Sequence, residues 1–257
     1  MDATARIRAA RWTDKDKVAA LIGDALHPDP LAAWLVPETT HRRRILTEVA
    51  AIWVEHAMFY GDIHVTDDLS AATVGFHRYR PIPPPANYHS RLLDAAGLHA
   101  DGFDQLDTLL SESRPTEPHY QLAFLAVHPD ARGAGRATAM LTHHRNRLDR
   151  IDLPSWTDTT TEAHILYARH GYTPRTPIAL PDGPTLQPMR RNPERRGAVP
   201  INAARGHGSC PATERPVPRG SSPGGFECPS RGGPLPPSLS PPQPQADLNP
   251  EAGDRVA

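Results

Sequence analysis

Seven consecutive residues, Arg132-Gly133-Ala134-Gly135-Arg136-Ala137-Thr138, place two glycines and two arginines between an apolar run and a helical pattern. A strand that feeds a glycine turn and opens a helix is the physical form of an anion site. Small residues let the backbone approach a ligand, several N–H groups point outward together, and the helix dipole favours negative charge. The spacing excludes two common nucleotide loops. A P-loop needs a lysine before its Ser or Thr, and none is present. A dinucleotide fingerprint needs a third glycine where Thr138 stands, and five residues already separate Val127 from Gly133. Other chemistries find no support. Both cysteines, Cys210 and Cys228, lie far downstream, so residues 1–192 hold no thiol nucleophile, disulfide or thiolate metal site. The 13 histidines of that stretch show no His-Glu-x-x-His spacing, and His143 and His144 fall on different helix faces, so no metal is expected.

The elements that must carry the loop are legible on either side of it. Tyr120–Val127 is almost continuously apolar, which suits a central strand covered on both faces. A helix starts inside the loop and runs to about Arg150, burying Ala137, Met140, Leu141, His144 and Leu148 at helical spacing. Upstream, residues 5–11 alternate as a first strand. Thr13 then caps a helix through Leu26, and a short apolar piece, 31–36, precedes a long helix from Glu38 to Tyr60 closed by Gly61. That long helix would bury Ile45, Val49, Ile52, Trp53 and His56. Two strands, 63–66 and 72–78, and a helical stretch over 88–112 follow. Downstream come a polar strand at 154–160, a short helix at 162–170 ended by Gly171, and a hairpin turning at Pro181–Pro184. The order predicts an α/β (α+β) fold with a mixed central sheet and flanking helices.

Charge and proline content bound the partners and the domain. The 28 Lys+Arg nearly balance 29 Asp+Glu, which gives no electrostatic case for nucleic acid. The longest apolar stretches fall far short of a membrane span, and Met1-Asp2-Ala3-Thr4 does not begin a secretory signal, so a cytoplasmic protein is expected. Residues 193–257 hold 14 prolines and 9 glycines with no Trp or Tyr, too little apolar surface to offset ordering entropy. The chain is therefore read as one domain, 1–192, and a disordered tail, 193–257, whose Pro234–Pro237 and Pro241–Pro244 pieces suit polyproline II.

The context of the loop carries a resemblance. Leu125-Ala126-Val127-His128-Pro129-Asp130 followed by Arg132-x-x-Gly135-x-Ala137 resembles the acetyl-CoA pyrophosphate loop of the GNAT superfamily of N-acetyltransferases. Leu166-Tyr167-Ala168-Arg169-His170-Gly171-Tyr172 resembles that family's downstream tyrosine block. With Arg114–Tyr120 before the central strand and Leu180–Pro184 before the last, the blocks look like the puromycin N-acetyltransferase type. The resemblance implies a GNAT fold in which a splayed strand pair holds acyl-CoA. It assigns the pyrophosphate to the amides of Arg132, Gly133, Ala134, Gly135, Arg136, Ala137 and Thr138, and the pantetheine arm to the strand edge at Leu125, Ala126 and Val127.

The same resemblance gives Tyr167 the proton donation to the departing thiolate and Asp158, where relatives carry Glu, the removal of a proton from the amine. Glu117 and His119 are reserves, and Trp34, Tyr88 and Trp156 are candidate walls for the acceptor. The implied function is direct acetyl transfer from acetyl-CoA to a small-molecule amine, without a metal. A homodimer is compatible with the resemblance. The blander readings are a core aromatic for Tyr167, a solvated strand-end acid for Asp158 and a surface charge for Arg136. His164 stands only three residues before Tyr167, where the family has four from a small polar residue. Since one helical residue turns about 100°, this motivates the alternative of an acyl-CoA-binding module without catalysis, with the tail as its interaction arm.

Overall fold

The computed structural model describes residues 6–160 and 163–194, so all of the proposed tail except Pro193 and Glu194 lies outside the described residues. Helix α1 (Lys15–Leu26) buries Val18, Leu21 and Ile22 on one stripe. Asp14, not Thr13, stands at its cap position, after a 3-10 turn (Trp12–Asp14) that the Asp14 carboxylate closes by accepting from the Arg11 N–H at 2.8 Å and from Arg8 at 2.6 Å. The apolar piece after it is a helix, α2 (Pro30–Leu35). Proline at the first position is preorganised for helix, and Asp29 accepts from the Leu31 N–H at 2.8 Å, so two local signals outweigh the segment's brevity. Helix α3 (Thr39–Tyr60) buries Ile45, Val49, Ile52 and His56, with Trp53 at the edge of the core. Helices α4 (Tyr88–Ala96) and α5 (Ala100–Ser113) divide the expected 88–112 stretch at Gly97, whose φ is +55°.

One sheet runs through the domain. The strands are β1 (Ile7–Ala9), β2 (Gly61–Thr66), β3 (Ala71–Arg78), β4 (His119–Val127), β5 (Ser155–Thr160), β6 (Thr173–Pro174), β7 (Ile178–Ala179) and β8 (Thr185–Arg191). Their order is β1-β2-β3-β4-β5-β8-β6, with β7 also on β8. All pairs are antiparallel except β4 with β5. The remaining helices are α6 (Arg136–Arg150) and α7 (His164–Arg169). The first strand is shorter than the 5–11 alternation suggested, and the arm of the last hairpin is broken into β6 and β7 by Arg175-Thr176-Pro177.

Two features of β4 position the site. It pairs with β5 only at Tyr120↔Ser155 and Gln121↔Trp156, and beyond these residues the two parallel strands part. On its other edge the register with β3 shifts between Val74 and Gly75, so Ala123 has no partner and the strand bends. Polar bonds brace the closed end: His144 Nε2 and the Tyr172 hydroxyl meet the Ser155 hydroxyl at 3.0 and 2.7 Å, and the Thr157 hydroxyl donates to the Leu122 carbonyl at 3.0 Å.

Beneath β8 the Arg191 side chain, 2% exposed, pairs with Asp149 at 2.8 Å. Removing one partner of a buried pair strands the other charge, at a cost of about 3–5 kcal/mol. Arg191→Ala should therefore lower the denaturant midpoint sharply, whereas Arg191→Met with Asp149→Leu should recover most of the loss.

Candidate active site

Where β4 and β5 part, a cavity of about 460 Å³ opens between the sheet and helices α1 to α5. Its outer end is the glycine loop. Gly133 and Gly135 have φ of +78° and +72°, the left-handed region that costs a residue with a Cβ about 1–2 kcal/mol. This turn aims α6 at the cavity, and the first helical bond runs from the Ala139 N–H to the Gly135 carbonyl at 2.9 Å. The amides of Arg136, Ala137 and Thr138 therefore stand in the first helical turn, outside the ladder and free to meet an anion. Gly135→Ala should keep the fold within about 2 kcal/mol yet weaken acetyl-CoA binding, as calorimetry would read; unchanged affinity would detach the loop from the cofactor.

Of the loop and strand residues, Leu125, Ala126, Val127, Arg132 and Ala137 line the cavity, while Gly133, Ala134, Gly135 and Thr138 are exposed and, like Arg136, outside its lining. Ala137 faces the cavity instead of joining the buried stripe of α6. The two arginines have partners of their own. Arg132 donates to the Ala25 carbonyl at the C-terminal end of α1 at 2.9 Å, and Arg136 pairs with Asp68 at 2.9 Å. The Arg132 N–H is also taken, donating to the Pro129 carbonyl at 3.2 Å, whereas the Arg136 N–H stands in the first turn of α6.

At the inner end, Asp158 and Tyr167 both line the cavity. The Trp156 indole N–H donates to Asp158 at 3.1 Å and fixes the carboxyl group. Burial pushes the Asp158 pKa up to about 6, against the opposing pull of Trp156 and Arg114. Such a group is ionised at neutral pH yet close enough to neutrality to take up a proton. Tyr167 is 6% exposed, and its ring meets Tyr172 edge-on at 5.5 Å. Burial raises its phenol to about 12, tempered by the Thr157 hydroxyl, so it carries its proton throughout the physiological range. Helix α7 begins at His164 after a turn in which the Ala163 N–H meets the Thr160 carbonyl at 3.1 Å. His164 and Tyr167 thus both lie within α7, and the Tyr167 ring reaches the cavity.

Several expected residues lie elsewhere. Trp34 donates to the Pro181 carbonyl at 2.9 Å and Trp156 serves Asp158; of the three aromatic candidates only Tyr88 lines the cavity. Glu117 and His119 are outside the lining, with His119 Nδ1 bonded to the Glu117 carbonyl at 2.8 Å.

Conversely, Arg78, Asp107, Arg114 and Gln121 line the cavity without having been singled out in the sequence. Gln121 was the findable one, a lone amide inside the apolar run of β4. Tyr88 donates to Asp107, whose pKa burial raises to about 6. No group of three or more metal-ligating side chains occurs among the described residues.

Residues 90–174 match the family described as Acetyltransferase (GNAT) domain. A solved structure from Corynebacterium glutamicum, described as histone acetyltransferase HPA2 and related acetyltransferase, is 22% identical with a TM-score of 0.60. The match covers 76% of this chain and 99% of that one. Arylalkylamine N-acetyltransferase 2 from Aedes aegypti is 12% identical with a TM-score of 0.51, over 74% of this chain and 99% of its own. The chain thus has the GNAT fold, an open and mainly antiparallel sheet flanked by helices, and its residues 90–174 are similar to the Acetyltransferase (GNAT) domain family.

Proposed function

We propose that the protein is an acetyl-CoA-dependent N-acetyltransferase that acts on a small-molecule amine by direct transfer in a ternary complex. One observation carries this reading: a buried carboxyl group near pKa 6 and a protonated phenol line the same cavity at the point where β4 and β5 part. A parted strand edge and a loop of free amides fit an extended chain ending in a pyrophosphate. Leu125, Ala126 and Val127 would hold the arm, and the amides of residues 133–138 the phosphates, since the Arg132 N–H is taken by the Pro129 carbonyl.

Acetyl-CoA supplies the acetyl group as a thioester. The chain supplies two proton transfers. The Asp158 carboxylate takes a proton from the acceptor ammonium and so frees the nitrogen lone pair to attack. The Tyr167 hydroxyl donates to the departing sulfur, and backbone N–H groups of the parted half of β4 polarise the carbonyl. No covalent enzyme intermediate is required.

The finer readings are that the protein belongs to the puromycin N-acetyltransferase-like subgroup, and that it works in the cytoplasm with residues 1–192 as its one domain. Incubation with acetyl-CoA and a panel of amines, read by thiol release, tests the function. Release that depends on an amine supports transfer. Acetyl-CoA binding without release on any amine favours a non-catalytic binding module instead.

A further inference from the structure

The inner wall of the cavity carries two arginines, and their partners do not account for their charge. Arg78 ends β3, and Arg114 follows α5. Both line the cavity. Arg78 uses its Nε to donate to Gln121 at 3.0 Å and lies over the Phe76 ring at 5.4 Å. Arg114 has a buried Nε with no partner. Among the described residues neither forms an ion pair within 4.0 Å. Asp107 and Asp158 are near enough to favour the Arg114 charge but do not clasp it, since Tyr88 and Trp156 hold those carboxyls.

The two guanidinium groups also oppose each other. Desolvation and the Arg114 charge bring the Arg78 pKa down to about 10. Both charges act on His119, which is 3% exposed and has a buried, unpartnered Nε2. Half-buried like charges with spare donors are costly unless something negative joins them. A guanidinium presents parallel N–H groups that match a carboxylate in a bidentate fork.

We propose that the acceptor is an amine that also bears a carboxylate, held by Arg78 and Arg114, with an apolar body against Leu35, Leu46, Phe103 and Leu106. This deepens the acetyltransferase reading and rests on it. The ammonium end then faces Asp158 and the carboxylate end faces the arginine pair, so the cavity distinguishes the two ends of a zwitterion. A polycationic amine meets two like charges and is disfavoured. The carboxylate is unchanged by the reaction, which forms the amide bond and releases the thiol.

The test compares three acceptors of the same shape on the full chain: L-phenylalanine, its neutral amide, and phenethylamine, which lacks the carboxylate. At least a tenfold preference in kcat/KM for L-phenylalanine is expected, falling toward one in Arg114→Gln and in Arg78→Gln. In parallel, calorimetry reads N-acetyl-L-phenylalanine, which should bind at least tenfold more weakly to either variant than to the wild type, with Arg114→Lys recovering part of the loss. Equal or better use of phenethylamine, or product affinity that neither variant lowers, overturns the proposal. Arginine-dependent product binding without turnover of any amine would sustain the carboxylate site and sink the transferase reading. Turnover with no carboxylate preference would do the reverse.

Discussion

Asp158→Asn should lower kcat/KM by about 10²–10⁴ and at the same time make the folded protein more stable at pH 7.5. The activity loss follows from removing the group assigned to take the ammonium proton. The stability gain follows from linkage. The folded-state pKa of about 6 lies above the ordinary 3.8, so the native state binds the proton more tightly than the unfolded chain. The stability this contributes is full below about pH 4 and is lost as pH rises through about 6. At pH 7.5 the wild type keeps a buried charge that Asn lacks, and relief of that charge should stabilise the variant by about 1–3 kcal/mol. Asn still accepts from the Trp156 indole. Thermal unfolding and initial rates measured on one preparation check both signs, and the wild-type rate should fall as pH drops through about 6. A variant that is active or destabilised would remove Asp158 from the role of base.

Tyr167→Phe is expected to reduce kcat by about 10²-fold or more, with acetyl-CoA affinity within a factor of two. Phenylalanine keeps the ring that packs on Tyr172 and loses the hydroxyl that meets Thr157. One buried hydrogen bond contributes about 1 kcal/mol, so the fold should survive, as a modest fall in melting temperature would show. The split between kcat and binding is the decisive readout. A purely structural tyrosine would weaken both together or neither, and an unchanged turnover would return Tyr167 to the core.

The sequence made the fold more legible than the site. Long periodic segments such as α3 and α6, and the apolar run of β4, declare themselves because burial imposes a period over many residues. Helix α2 was hidden because six residues are too few for a period, although Asp29 and Pro30 marked its start. The anion loop was visible because its chemistry is contiguous along the chain. Asp158 and Tyr167 came from resemblance to a family, and the fold places both against one cavity. Arg78, Asp107 and Arg114 could not be read locally. They come from the end of β3, the middle of α5 and the segment after it, and only the tertiary fold turns them toward one space. Trp34 and Trp156 show the converse. An aromatic looks like a wall in sequence, yet here each gives its N–H to hold another part of the structure.

The parting of β4 from β5 also bears on how the domain holds together. Strands β1 to β4 form one ribbon and β5, β8, β6 and β7 another, and among the described residues two pairs in the sheet join them. A sheet with so narrow a neck is a seam, where local opening costs less than in either ribbon. An extended chain lying along the parted edges would act as a suture across it. Hydrogen exchange in Leu122–Val127 should then slow when acetyl-CoA is bound, more than in β2, and the cosubstrate would serve for a time as a missing strand of the protein it reacts in.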